Sequence, residues 1–238
     1  MRFLLGMLLI CSLLFSQNFD DEFGDEFEEE KQSVDTFKSY NIIMTQLNDK
    51  VYTYVFNPIA SGYEYTIHKD IRIAVSNVYS NLKFPINFVN NLLQLKFENS
   101  FAELQRFLIN STLGIAGTMD IAKDDFHIEA KKEDFGQTLG YYGFNNTPHI
   151  VLPFLGSSNV RDILGLGGDY FINPLSYINN RGNLLANETE STYTKAYDTL
   201  NTHSFNYKIY EKAKKDSVDL YSLLKNVYEQ RRNKEISE

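Results

Sequence analysis

The sequence predicts an all-α fold that carries one small β-hairpin or extended loop. Three observations predict it. Apolar residues recur at helical spacing along most of the chain. Proline, glycine and asparagine fall between these stretches, where they punctuate helices. One segment alone, Phe144 to Leu155, has a different pattern: Asn145-Asn146-Thr147-Pro148 reads as a turn beside the apolar run Ile150 to Leu155.

The elements follow in order. Phe37 to Phe56 reads as a helix through Ile43, Leu47, Val51 and Tyr54, and Asn57-Pro58 is expected to end it, because proline pushes the preceding residue out of the helical region. A second helix is expected from Lys69 to Asn81 with Ile71, Val75 and Val78 on one face. Pro85 is placed to start a third, and Ser100 to cap a fourth through Phe101, Leu104 and Leu108. Gly114 and Gly117 break the pattern, a charged loop follows from Asp120 to Lys132, and Asp134 to Gly143 holds a short helix. Ser158 is expected to open a helix through Val160 and Ile163, with Gly165-Leu166-Gly167-Gly168 ending or bending it. Two helices close the chain, near Glu190–Leu200 and Asp216–Arg232.

Several helices have wide, aromatic-rich apolar faces. Periodicity alone favours an ordinary helical core; the alternative is that part of this apolar surface meets lipid, and composition does not separate the two.

With 238 residues the chain is long enough for one domain with a sizeable core. The 16 Tyr and 18 Phe, with no Trp, suit a surface part apolar and part wet. Residues 1–16 read as a signal peptide: Arg2, then the apolar run Phe3 to Phe15, too short for the about 20 residues that span a bilayer, then the small Ser16. Export follows. Cys11, the single cysteine, lies in this segment, so a cleaved chain has no thiol for disulfides, metal or nucleophilic attack. Leu8-Leu9-Ile10-Cys11 is a poor lipobox, because Ile10 is bulky where a small residue is wanted, and no acylation is expected.

The net charge of -8 is local: residues 20–30 hold eight acids, and the remainder of the chain is balanced. Residues 17–35 therefore read as an acidic, disordered leader, followed by a helical domain over 36–232 and a short tail over 233–238. No basic stripe is present to neutralise phosphates along a nucleic acid.

Nothing in the sequence calls for catalysis. His68, His127, His149 and His203 lack metal-ligand spacing, there is no HExxH and no GxSxG, and the Gly165–Gly168 run lacks the spacing and lysine of a phosphate loop. Asp124-Asp125 and Glu133-Asp134 are carboxylate pairs that read as solvated surface. No enzyme activity, metal or cofactor is expected.

Five blocks, in order, carry a family resemblance. Pro85-Ile86-Asn87-Phe88-Val89-Asn90-Asn91-Leu92-Leu93-Gln94 is similar to "P-x-x-F-V-N-x-L-L-Q" of the MlaA (VacJ) family. The run from Arg106-Phe107 through Asn110 to Leu113-Gly114 resembles "R-F-x-x-N-x-x-L-G". Glu133-Asp134-Phe135-Gly136-Gln137-Thr138-Leu139-Gly140 matches "E-D-F-G-Q-T-L-G". Leu152-Pro153 through Gly156 to Arg161-Asp162 matches "L-P-x-x-G-x-x-x-x-R-D", and the run Val227 to Arg232 is similar to "A-Y-x-Q-R". The blocks span roughly residues 33–232.

The resemblance implies a ring-like, all-helical protein in the inner leaflet of the outer membrane, with a polar channel. Phospholipid would pass through it to a periplasmic carrier and on toward the inner membrane. It also implies association with a trimeric porin, and residence on the periplasmic side of the outer membrane. A non-catalytic periplasmic scaffold with the same fold is the alternative function. In the family the stretch between "T-L-G" and "L-P" forms a hairpin beside the channel, so Gly143, Asn145, Asn146 and Pro148 are the expected rim of the lipid path.

Overall fold

The computed structural model describes residues 35–145, 147–176 and 188–238. Residues 1–34, with the expected signal peptide, Cys11 and nearly all of the acidic leader, and also Asn146, lie outside the described residues.

The first described helix, α1 (Lys38–Val51), passes through a π-helical turn (Tyr52–Phe56) directly into α2 (Asn57–Thr66). The expected stop at Asn57-Pro58 does not occur. Pro58 sits in the first turn of α2, where its missing N–H costs little. The preceding turn widens so that the Asn57 N–H reaches the Tyr52 carbonyl, five residues back.

Next come α3 (Lys69–Leu82), α4 (Phe84–Leu93) and α5 (Phe97–Thr112), with Pro85 in the first turn of α4 as its sequence position requires. Ser100 does not cap α5. It lies inside the helix, fully buried, and its hydroxyl donates to the Phe88 carbonyl of α4 at 3.1 Å. The chain then reverses through Ile115, Ala116 and Gly117, all at positive φ.

The expected charged loop contains one helical turn, α6 (Ile121–Asp124), capped by Asp120. A reciprocal capping box of Asp134 and Gln137 starts α7 (Phe135–Tyr141). An antiparallel hairpin follows, β1 (His149–Leu152) and β2 (Gly156–Asn159), with His149 opposite Asn159 and Leu152 opposite Gly156. The turn of this hairpin is therefore Pro153–Leu155, not Asn145–Pro148, which precedes the first strand.

Asn159, rather than Ser158, caps α8 (Val160–Ile172) by accepting from the Asp162 N–H. Gly165 to Gly168 do not end it, since the helix runs on to Ile172. Instead they let α7 approach: a Cβ on Gly165 would lie 2.5 Å from the Gly136 nitrogen, and one on Gly168 would meet the Phe135 ring. The final helices are longer than expected, α9 (Glu188–Asp216) and α10 (Leu220–Ser237). Ile236 fills the space beside Gly140, so residues 233–237 belong to α10 rather than to a separate tail.

The helices are mounted with their faces reversed. Helix α1 buries Asn41, Thr45 and Asn48 while Ile43 is 59% exposed. Helix α5 buries Ser100, Glu103, Arg106 and Asn110, and leaves Phe97, Phe101 and Leu108 outside. Among the described residues the buried apolar set is small: Ala60, Ala122, Val151, Leu175 and five tyrosines. The ordinary helical core that periodicity favours is thus not what forms.

Reversal is tolerable because the inward polar groups find partners. Asn41 and Asn48, two turns apart on α1, face strand β1 and its turn. Asn41 donates to the His149 carbonyl at 3.0 Å and accepts from the Val151 N–H at 2.8 Å. Asn48 does the same for the Leu152 carbonyl at 2.9 Å and the Phe154 N–H at 2.6 Å. Each amide presents a donor and an acceptor, as a neighbouring strand would, and so closes the edge of the hairpin.

Candidate functional site

Inside this polar framework lies a cavity of about 610 Å³. Six helices supply its wall. Helix α3 contributes Ser76 and Ser80, α4 Asn87, α7 Gln137, α8 Asp169 and Tyr170, α9 Lys195, Asp198 and Thr202, and α10 Arg231 and Arg232. The spacing on α9 explains how one helix lines it repeatedly: 195, 198, 202, 205 and 206 fall on a single face.

The wall is charged, and most of the charge is paired. Lys83 meets Asp198 at 2.6 Å. Glu133 is buried and takes Lys96 at 2.8 Å and Gln94 at 2.8 Å, so it is not the solvated carboxylate its loop position suggests; burial outweighs these partners and raises its pKa. Asp134 is likewise engaged, while Asp124 and Asp125 are exposed as expected. Arg232 gathers three carboxylates: Asp134 at 2.8 Å, Asp162 at 2.9 Å and Glu235 at 2.9 Å. Burial opposes ionisation of Asp162, but Arg232, Arg161 and the Tyr228 hydroxyl outweigh it and hold the carboxyl below its ordinary range.

Asp169 is the contrary case. Burial, reinforced by the charge of Asp134, pushes it up to about 7. Its Oδ1 accepts from the Asn90 amide at 3.0 Å and from the Phe135 N–H at 3.1 Å, which is not enough to offset the loss of water.

The motif residues assemble around this wall. Asn87 lines the cavity and donates to Glu103 at 3.0 Å. Asn90 joins Asp169 to the Thr138 hydroxyl, which donates to it at 2.9 Å. Gly136 is small because Asp162 and Arg232 occupy the place of its Cβ, at 2.6 and 2.8 Å. Arg161 donates to Asp162 at 2.9 Å. Phe135 fills the space under Gly168, and Gly140 admits Ile236.

Phe88, Asn110 and Gly114 serve the scaffold instead. The Phe88 carbonyl receives Ser100. Asn110 and Arg106 both grip Asp120, with Asn110 also accepting from the Ala122 N–H. Gly114 has no room for a Cβ, which would fall 2.4 Å from the Met119 carbonyl.

The residues expected at the rim of the lipid path stand apart from this cavity. Gly143, Asn145 and Pro148 are exposed and none lines the cavity; Asn146 is outside the described residues. The turn signal that singled them out reports backbone chemistry. The residues the sequence reading passed over are Lys83, Asp169, Lys195 and Asp198; Arg232 ends the last motif block. A signal for Asp169 is visible in retrospect: it is an acid in a helix otherwise rich in Leu, Ile, Tyr and Phe.

The family model described as "MlaA lipoprotein" matches residues 33–235. This chain belongs to the MlaA lipoprotein family. It is 31% identical over 147 residues to the intermembrane phospholipid transport system lipoprotein MlaA of Escherichia coli (strain K12), covering 60% of this chain and 59% of that one. It is 35% identical over 144 residues to an uncharacterised protein of Rickettsia prowazekii (strain Madrid E), covering 60% of this chain and 57% of the relative. The chain thus spans less than two thirds of the length of either. A solved structure described as "Structural basis for maintenance of bacterial outer membrane lipid asymmetry" superposes with a TM-score of 0.72 at 25% identity, over 85% of this chain and 98% of the other. No helix among the described residues is long and apolar enough to cross a membrane.

Proposed function

We propose that this MlaA-family chain moves phospholipid out of the outer membrane toward the inner membrane, by passing the head group through the charged cavity while the tails stay in hydrocarbon. One observation carries the reading: a charged cavity sits inside a body whose large apolar side chains face outward. Each CH₂ taken from hydrocarbon into water costs about 0.8 kcal/mol, so withdrawing two tails costs tens of kcal/mol, which a passive protein does not supply. A wet, charged passage removes the other barrier, the burial of a charged head group.

On this reading the outward apolar faces lie in the periplasmic leaflet of the outer membrane. Further partners are a trimeric porin that holds the protein there and a periplasmic carrier that accepts the lipid. The head-group path is the cavity rather than the Gly143–Pro148 turn.

Two cysteine positions, in a Cys11→Ser background, test this. Thr202→Cys lies on the cavity wall and Asn145→Cys on the exposed turn. After reaction with a bulky maleimide, the Thr202→Cys protein is expected to lose lipid transfer from donor to acceptor vesicles, and the labelled Asn145→Cys protein to keep it. The opposite pattern would move the path to the turn; undiminished transfer in both would remove it from either place.

A further inference from the structure

Helix α1 buries Asn41, Thr45 and Asn48 and turns Tyr40, Ile43 and Leu47 outward. These three recur at i, i+3 and i+7, so they form one exposed apolar stripe about 10 Å long. Lys50 is exposed one turn beyond Leu47. Asp35 is pinned at the head of the stripe. Its carboxylate accepts from the Tyr221 hydroxyl and from the Asn41 amide at 3.2 Å, and the Lys225 ammonium lies at 3.6 Å. The residues before Asp35 therefore join the body where the stripe begins.

Those residues carry a matching pattern. Phe19, Phe23 and Phe27 recur at i, i+4 and i+8 within the block of eight acids. On a helix they would share one side and span about 12 Å, close to the length of the stripe on α1. The acids repel one another and Gly24 weakens a helix, so the segment has little to hold it helical alone. Burial of the three rings against α1 supplies what is missing. Seven residues, 28–34, separate Phe27 from Asp35, enough to reverse the chain. Antiparallel packing then sets Phe27 beside Tyr40 and Phe19 beside Leu47. It also brings Asp20 within reach of the Lys50 side chain, which leans back toward the start of its helix.

We propose that residues 19–30 fold back onto the Tyr40, Ile43 and Leu47 face of α1 and cover it in water, and that a lipid leaflet displaces them. Contact needs no membrane; displacement rests on the reading of the outward faces as lipid-facing. Carboxylates resist entry into hydrocarbon, so the acidic segment leaves as the α1 face goes in. Until then the cover keeps an apolar face from associating with other apolar surfaces.

The test uses the full chain in a Cys11→Ser background, kept dispersed by dilute nonionic detergent. Spin labels at Glu22→Cys and Gln46→Cys report their separation by double electron–electron resonance. The parent is expected to give a narrow distribution below about 25 Å, since packed helices run about 8–10 Å apart and the label arms add the rest. Phe19→Ser with Phe23→Ser and Phe27→Ser should lower the short-distance fraction about five-fold or more, as should Ile43→Ser with Leu47→Ser. Glu28→Gln with Glu29→Gln keeps the ring stripe and should not lower it. Vesicles of phosphatidylethanolamine and phosphatidylglycerol should broaden the distribution in the protein that sediments with them.

A broad distribution in the parent overturns the proposal and leaves the α1 face to lipid from the outset. So does a short distance that survives in both serine variants. Loss of the short distance on dilution with excess unlabelled chain would assign the contact to a second copy and also overturn it. Sedimented protein that keeps the short distance refutes displacement, and with it the cover. Protein that does not sediment refutes the lipid-facing reading instead, while a short distance in the parent still supports the contact.

Discussion

Asp169 is an acid placed where ionisation is difficult. Its pKa of about 7 means that the folded protein keeps the proton through a range in which the unfolded chain, near the ordinary aspartate value of 3.8, has released it. The folded state therefore loses stability relative to the unfolded one as pH rises from about 4 to about 7, and carries the full penalty above that. Asp169→Asn keeps an oxygen to accept from Asn90 and Phe135 but cannot ionise. It should match the parent in stability near pH 4 and exceed it by roughly 3–4 kcal/mol at pH 8, read by denaturant titration at each pH. A gain of equal size at both pH values would mean that charge is not the cause. His149 and His203 act in the opposite sense. Burial pushes each down to about 4, so stability is lost as pH falls from about 6.5 toward 4. Comparing Asp169→Asn with the parent at each pH cancels this background. The 3.9 Å approach of His149 to Glu229 is then no ion pair near neutrality, since the ring is neutral there.

At the scale of the element, the direction of an amphipathic helix decides which side chains the surface presents. Phe101 and Leu108 are 59% and 53% exposed on α5, opposite Glu103 and Arg106. If this face enters a leaflet, Phe101→Glu with Leu108→Glu should lower partition into phospholipid vesicles by more than ten-fold, each lost apolar insertion being worth roughly 1.5–3 kcal/mol. The thermal midpoint in detergent should hardly change, because neither side chain packs inside. A sedimentation assay with vesicles reads the first effect and circular dichroism the second; unaltered partition would take α5 out of the membrane-facing surface. Most helices were legible in the sequence, because periodicity and Pro85 are local signals. The continuation past Pro58 was not, since a π-turn that spares the proline has no local signature. The face reversal was also hidden. Hydrophobic periodicity says that a helix has two unlike faces; only the tertiary partners, such as strand β1 for Asn41 and Asn48, say which one turns inward.

For the whole molecule, the five motif blocks located the right neighbourhood without locating the lining of the cavity. Asn90, Gly136, Arg161 and Asp162 set the wall from behind, through Asp169 and Arg232. The lining itself draws on α9, whose residues 195 to 206 lie in none of the blocks. Charged residues on α8, α9 and α10 and in the segments at Lys83 and 132–134 converge only when the chain closes around a common space. No window of sequence contains that fact.

The small buried apolar set has a calorimetric consequence. Unfolding an ordinary domain in water raises the heat capacity by about 12–15 cal/mol/K per residue, mainly because apolar surface becomes newly hydrated. Here much of that surface is outside before unfolding begins, from Phe97 and Phe101 on one helix to Tyr65 and Ile59 on another. In dilute detergent, just enough to keep the protein dispersed, the increment per residue should fall well below that range. The dependence on urea should be correspondingly shallow, since that slope also follows the area exposed. An ordinary value, measured by differential scanning calorimetry, would mean that the outward side chains are covered in solution. With a small increment the stability curve flattens, and the protein stays nearly equally stable over a wide span of temperature, its resistance to cold set less by water than by the hydrocarbon that wets it.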